Sequence, residues 1–217
     1  MTSEAKVMLG IGLVTLMIFV GGVFMLSRKE TAVVGTSADP AVLVREDSLI
    51  LPATEEQVQL VEFTDMQCPF CAQAHPVIAQ LLANYPEKIT FVVRHFPLLQ
   101  HQHAVLAAEA VEAANAQGRV WEMYDLIYAN QTGWEDASSA EARAMFAGFA
   151  EELGLNLEQF NQTLDDQTYR TKIQRDSADG SAVGVAGTPT FFVDGAKFSG
   201  SLQSLVTLIE DKVKPVE

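Results

Sequence analysis

The chemistry available to this sequence centres on its two cysteines, Cys68 and Cys71, which are separated by Pro69 and Phe70. A pair at this spacing can form a reactive disulfide, close a small structural loop, or supply half of a zinc site. A structural disulfide across so short a loop would add little stability, because it removes little entropy from the unfolded chain. A reactive pair is therefore the first hypothesis.

The position of the pair between two predicted elements favours that hypothesis. Residues 57–64 alternate in polarity and predict a strand, whereas residues 69–85 predict a helix with Pro69 in its first turn. Cys68 then lies at the helix N-terminus, where unpaired N–H groups and the helix dipole favour a thiolate. We expect Cys68 to be an exposed nucleophile and Cys71 to be the buried thiol that resolves a mixed disulfide.

The spacing of the histidines disfavours zinc. A structural zinc site needs four ligands, usually from two cysteine pairs or from one pair and two suitably spaced histidines. His101 and His103 are separated by one residue, which is too few. We therefore expect no metal and no organic cofactor. His75 beside Pro76 is interpreted as part of a helix kink, and His101 and His103 as capping or surface groups.

The other elements predict an α/β fold with helices inserted in one crossover. Residues 88–95 form a second predicted strand, and Thr190–Val193 and Ala196–Ser199 form a hairpin. Helical patterns fill about 100–183, and an amphipathic helix covers Leu202–Val213. This order is typical of an α/β domain with a helical insertion.

A separate feature is the uncharged run Val7–Ser27, which is 21 residues long. As a helix it would extend about 31 Å, enough to cross the hydrocarbon core of a bilayer. It lacks the short apolar centre of a cleavable signal peptide, although Ser37–Ala38 offers a late cleavage point. We therefore expect a transmembrane anchor over 1–30, a linker over 31–40 and one domain over 41–217.

The net charge of −14 limits the possible partners. An acidic surface repels phosphate backbones, so nucleic-acid binding is not expected. Positive residues flank both ends of the apolar run, and charge therefore leaves the orientation of the anchor open. The expected location of the domain, outside a bacterial cytoplasmic membrane, depends on the redox chemistry of the cysteines.

Three segments of the sequence occur together in one known family: Val61–Cys71 (VEFTDMQCPFC), Phe96–Leu98 (FPL) and Gly187–Gly195 (GTPTFFVDG). Their combination resembles the DsbA-like thiol:disulfide oxidoreductases. The resemblance implies a thioredoxin fold with a helical insertion and activity in a bacterial cell envelope. Its substrates would be unfolded or reduced extracytoplasmic proteins, and a membrane redox partner would reoxidise the cysteines.

The resemblance also implies roles for individual residues. Gly187, Thr188 and Pro189 would form a cis-proline loop that faces the cysteine pair, with the Thr188 backbone pairing with a substrate peptide. Glu62, six residues before Cys68, would be a buried acid that handles the proton of the inner cysteine. The alternation of the strand alone leaves open whether Glu62 faces the core or water.

Between the cysteines the sequence departs from the best-known oxidase of that family, which has Pro-His there. Phe70 neither donates a hydrogen bond nor carries charge, so we expect a smaller lowering of the Cys68 pKa and a milder oxidant. Phe70 and Pro189 would form a shallow apolar surface for substrates. Thr188 before the proline also occurs in isomerase-type relatives. The alternatives are a disulfide isomerase or reductase, or a non-catalytic thioredoxin-like holdase or metal-handling module.

Overall fold

The computed structural model describes residues 33–214, and its strands form one mixed sheet. The strands are β1 (Val33–Ser37), β2 (Leu49–Leu51), β3 (Val58–Thr64), β4 (Ile89–His95), β5 (Thr190–Val193) and β6 (Ala196–Ser199). Their order across the sheet is β1-β6-β5-β3-β4-β2. Strand β3 runs parallel to β4 and antiparallel to β5, so it occupies the centre of the sheet.

The helices pack around this sheet. They are α1 (Pro40–Leu43), α2 (Pro69–Asn84), α3 (Ala104–Asn115), α4 (Val120–Ala129), α5 (Gln131–Trp134), α6 (Ser139–Glu152), α7 (Leu157–Asp165), α8 (Arg170–Ala182) and α9 (Leu202–Val213). Helices α3 to α8 lie between β4 and β5 in the chain. This confirms the predicted α/β fold with a helical insertion.

Strand β3 divides the core into two parts because its side chains alternate between the faces of the sheet. Val61 and Phe63 belong to a small cluster with Leu43 and Phe192. Leu60 belongs to a larger cluster on the other face, which also contains both cysteines. Glu62 shares the face of Leu60, so the strand directs its carboxyl group toward the cysteines.

Helix α2 begins directly at the cysteine pair. Cys68 is its N-cap residue, and Pro69 occupies the first helical position, where a missing N–H costs nothing. The helix continues through Pro76 to Asn84. Its buried side chains, among them Cys71 and Ile78, pack against the large cluster.

The N-terminal part of the described chain differs from the prediction. The expected linker over 31–40 is wrong for Val33–Ser37, which pairs antiparallel with β6 as strand β1. A segment of five residues carries too little periodicity to reveal a strand whose partner is distant in sequence. The expected anchor over 1–30 lies outside the described residues. Within residues 33–214, no helix is long and apolar enough to cross a membrane.

Candidate active site

Both cysteines are free thiols at the start of α2, and both are buried. Cys68 is 3% exposed and Cys71 is 1% exposed. The prediction of an exposed Cys68 is therefore wrong. Its thiol lies against the loop before β5 and donates a hydrogen bond to the Thr188 carbonyl oxygen, with 3.3 Å between sulfur and oxygen. The cysteine pair and the Gly187–Pro189 loop thus form one site, although 120 residues separate them.

The loop contributes a polar group and an apolar wall. Its Thr188–Pro189 peptide bond is cis. The Thr188 hydroxyl is buried and has no hydrogen-bond partner among the described residues, so it is available to a thiolate on Cys68. Pro189 and Phe70, whose exposure is 66%, line an open cleft of about 310 Å³ whose other walls include β5 and β6. The cleft therefore lies next to the loop that contacts Cys68, although neither cysteine is part of its wall.

The two thiols have opposite shifts in pKa. Hydrogen bonding with the Cys71 thiol, assisted by the Thr188 side chain and by backbone N–H groups, lowers the pKa of Cys68 to about 5 against the effect of burial. Burial, followed by the interaction with Cys68 and the charge of Glu62, raises the pKa of Cys71. At neutral pH the pair therefore holds one thiolate and one thiol. That is the arrangement that thiol–disulfide exchange requires.

Glu62 is buried beside the inner cysteine, as the resemblance implied. It is 2% exposed. Burial raises its pKa to about 7, although the side chains of Thr64 and Tyr124 and the charge of His75 favour its ionised form. A carboxyl group with this pKa can both accept and return a proton near neutral pH.

A set of aromatic and polar side chains behind Glu62 was not predicted from the sequence. The imidazole ring of His75 stacks on Tyr128, with 4.8 Å between ring centroids, and meets Tyr124 edge-on at 5.1 Å. The Tyr128 hydroxyl lies 2.7 Å from the Thr64 hydroxyl. The sequence did hold a signal, because Cys71 and His75 are four residues apart on one helix, as are the two tyrosines.

Asp65 organises the turn that precedes Cys68. Its Oδ1 accepts a hydrogen bond of 2.8 Å from the Gln67 backbone N–H, and its Oδ2 accepts one of 2.8 Å from the Leu98 backbone N–H. The same Oδ2 lies 2.7 Å from Nδ1 of His101. His101 was expected to be a cap or surface group, whereas its side chain joins this buried carboxyl group to the loop after β4.

The helical insertion also holds this turn. The side-chain amide of Gln131 donates hydrogen bonds to the carbonyl oxygens of Met66 and Cys68, at 2.7 and 3.2 Å. The Gln67 side-chain oxygen accepts a 2.7 Å bond from the His103 backbone N–H. His103 is the N-cap residue of α3, as one part of the expectation had it, but it is completely buried, so the expected surface position is wrong. These contacts fix the main chain from which the Cys68 thiol projects.

Within the described residues, no group of three or more His, Cys, Asp or Glu side chains is arranged to hold a metal ion.

Comparison with known proteins gives the same fold and adds longer relatives. A family model described as Thioredoxin matches residues 46–211. The Na(+)/H(+) antiporter NhaA 1 of Salinispora arenicola is 40% identical over 148 residues, which are 68% of this chain and 22% of the antiporter. The Na(+)/H(+) antiporter NhaA of Herminiimonas arsenicoxydans is 37% identical over 147 residues, again 68% and 22%. This chain therefore spans about a fifth of the length of these curated relatives.

Solved structures resemble the chain over most of its length. A thioredoxin-like oxidoreductase from Silicibacter pomeroyi DSS-3 is 25% identical, with a TM-score of 0.65 over 81% of this chain and 96% of that one. Alpha-DsbA1 of Wolbachia pipientis gives a TM-score of 0.68 at 19% identity, over 78% and 92%. Oxidised BdbD of Bacillus subtilis gives 0.67 at 18% identity, over 83% and 97%. The chain belongs to the thioredoxin family, and it shares its fold with alpha-DsbA1 and BdbD.

Proposed function

We propose that the chain donates disulfides to reduced extracytoplasmic proteins through the Cys68–Cys71 pair. The observation that carries the proposal is the opposite shift of the two thiols, with the Cys68 pKa lowered to about 5 and the Cys71 pKa raised. A stabilised thiolate favours the reduced pair, which makes the oxidised pair an oxidant. The uncharged Phe70 between the cysteines fits an oxidant of intermediate strength.

The reaction begins with the oxidised pair. A substrate thiolate attacks the Cys68 sulfur, the Cys68–Cys71 bond breaks, and Cys71 leaves as a thiolate that takes a proton from Glu62. The second substrate thiolate then attacks the substrate sulfur of the mixed disulfide, and Cys68 leaves as a thiolate. Two electrons pass from the substrate dithiol to the cysteine pair. A membrane redox partner returns the pair to its oxidised form.

The surface around Cys68 suits an extended and variable substrate. Phe70 is largely exposed, and together with Pro189 it borders the 310 Å³ cleft, next to the loop that contacts the Cys68 sulfur. The Thr188 backbone lies close enough to the Cys68 sulfur to pair with a substrate strand that brings its own cysteine there. Backbone pairing and apolar contact are both independent of the substrate's exact sequence. These features support action on many reduced proteins.

The proposal includes a position outside a bacterial cytoplasmic membrane, with Val7–Ser27 as a single-pass anchor. An oxidised cysteine pair persists in oxidising compartments, which supports the extracytoplasmic side. The curated relatives named as antiporters match over about a fifth of their length. That match supports a shared thioredoxin-type domain, and ion exchange is no part of the proposal.

The test is the reduction potential of the full-length chain in detergent, equilibrated in glutathione buffers and read by thiol trapping and mass. A potential above about −180 mV supports disulfide donation, whereas one near about −270 mV supports the alternative of a reductase. The same chain should oxidise a dithiol peptide, and Cys68→Ser should abolish that turnover. Binding of unfolded proteins that is unaffected by Cys68→Ser, without turnover in the wild type, would instead indicate a holdase.

A further inference from the structure

His75 lies between the buried acid site and the surface. Its side chain is 16% exposed, whereas Tyr124 on its inner side is 2% exposed. On its outer side, Nε2 lies 3.0 Å from Oδ1 of Asp125, whose side chain is 64% exposed. The Tyr124 side chain and the charge of His75 both act on the Glu62 carboxyl group. One imidazole ring therefore contacts the surroundings of Glu62 and a solvated carboxylate.

A cleft separate from the substrate cleft reaches this histidine. It encloses about 340 Å³ between α2, α4 and the strands β2 and β4, and its walls include His75, Tyr124 and Asp125. Its remaining walls are apolar, with Ile78 from α2 and Trp121 from α4 among them. A space of this size with three polar groups on its wall can hold several waters. Solvent that enters this cleft would therefore reach the His75 ring, whereas Phe70 lines the other cleft.

We propose that His75 and Asp125 form the outer part of a proton path that connects Glu62, and through it Cys71, with solvent in this cleft. The inference rests on the proposed function. When Cys71 attacks a mixed disulfide on Cys68, its thiol proton passes to the Glu62 carboxylate, and the departing thiolate carries the electron pair of the broken bond. His75 then accepts the proton from Glu62 and releases it to solvent. In substrate oxidation, the proton travels the opposite way.

The ionisable groups around His75 support this direction of transfer. On its own helix and on β3 they are Cys71 and Glu62, and on α4 they are Tyr124, Tyr128 and Asp125. Burial raises the pKa of both tyrosines well above the ordinary value, so they stay protonated at neutral pH. The Asp125 carboxylate lies 3.0 Å from Nε2 of His75 on the solvent side of the ring. His75 is therefore placed as the exchangeable carrier between a buried and an exposed carboxyl group.

The experiment follows the glutathione mixed disulfide on Cys68. The reduced full-length chain is mixed with excess oxidised glutathione between pH 5 and pH 9, quenched with acid, and analysed by alkylation and mass. His75→Gln keeps hydrogen-bonding groups but cannot carry the proton, and Asp125→Asn alters an exposed side chain with little risk to folding. Glu122→Gln is the matched control, because Glu122 lies on the same helix and pairs with Arg119 on the exposed surface.

We expect His75→Gln to prolong the mixed disulfide about tenfold near pH 6, since positioned acid–base groups contribute at least that much to proton transfer. Asp125→Asn should prolong it less, and the difference from the wild type should shrink toward pH 9, where hydroxide removes the proton directly. Glu122→Gln should match the wild type. Equal lifetimes in the wild type and in folded Asp125→Asn and His75→Gln, at every pH, would overturn the proton path. A wild type that forms no mixed disulfide would instead overturn the proposed function.

Discussion

The Thr188 hydroxyl provides a direct test of how the site stabilises a thiolate. The Cys71 thiol is the largest cause of the lowered Cys68 pKa, and the Thr188 side chain is a further one. The hydroxyl is buried and has no hydrogen-bond partner in the described chain, so it is free to donate to a Cys68 thiolate. Thr188→Val keeps the shape of the side chain and removes its donor. The substitution therefore isolates one hydrogen bond to the sulfur.

The expected size of the effect follows from that bond. A hydrogen bond to a charged group contributes about 1.5–3 kcal/mol, and one pKa unit corresponds to about 1.4 kcal/mol. Thr188→Val should therefore raise the Cys68 pKa from about 5 by roughly one to two units. Since less thiolate then stabilises the reduced pair at pH 7, the reduction potential should become roughly 30–50 mV more negative.

Two measurements check these values: the ultraviolet absorbance of the thiolate as a function of pH, and the redox equilibrium with glutathione. Thr190→Val is the matched control, because the Thr190 hydroxyl donates to the Gly187 carbonyl oxygen at 2.7 Å, within the same loop. The control should keep the wild-type pKa of Cys68. If Thr188→Val also keeps it, the hydroxyl does not bond the sulfur and the reasoning is refuted. If both variants raise it equally, loop geometry is the cause.

Three further predictions concern stability, measured by urea unfolding of the reduced protein. Burial raises the pKa of Glu62 from 4.5 to about 7, so the folded state keeps a proton that the unfolded chain releases, and stability falls as the pH rises between these values. Glu62→Gln should then increase the free energy of unfolding by about 3 kcal/mol at pH 8 and by little at pH 4. Equal increases at the two pH values would contradict the raised pKa of Glu62. Asp176→Ala should lower the free energy of unfolding by about 3 kcal/mol, because it leaves the fully buried Arg94 with only one of its two carboxylate partners; a loss under about 1 kcal/mol would contradict this. Gly180→Ala should lower the free energy of unfolding by about 1–3 kcal/mol, since a methyl group there would lie 2.9 Å from the Phe63 ring. An unchanged free energy of unfolding would show that the ring can move.

The central elements of the fold could be predicted because their patterns are local. Predicted strands at 57–64 and 88–95 agree with β3 and β4 to within a residue, and the predicted helix at 69–85 agrees with α2. Each has a long apolar pattern ended by turn residues or proline. Strand β2 has only three residues, and it forms by pairing with β4, where Leu49 lies opposite Val93. No local sequence pattern reveals a pairing of this kind.

The candidate site divides in the same way. The cysteine pair and the Gly187–Pro189 loop carry motifs that the sequence displays directly. The surroundings of His75 depend on the docking of α4 against α2. The spacing of four residues places His75 on the helix face of Cys71, but it does not show that the ring stacks on a tyrosine of another helix. Burial of Cys68 was missed for a related reason. The loop that covers its sulfur comes from the other end of the domain and reaches it only in the folded chain.

Glu62 and Arg94 show why burial of a charge does not by itself indicate chemistry. Both lie in apolar strands and both are buried. Arg94 donates to Asp176 and Asp179 and to two carbonyl oxygens of α1, so its charge is compensated on every side. In the described chain, none of the ion pairs includes Glu62, and burial raises its pKa further than the nearby Thr64, His75 and Tyr124 side chains lower it. A proton on Glu62 is therefore exchangeable at neutral pH, whereas the charge of Arg94 serves to join β4 to α8. Whether a buried group carries an exchangeable proton or a compensated charge depends on partners from helices distant in sequence. Residue type and strand pattern therefore could not distinguish a proton carrier from a structural ion.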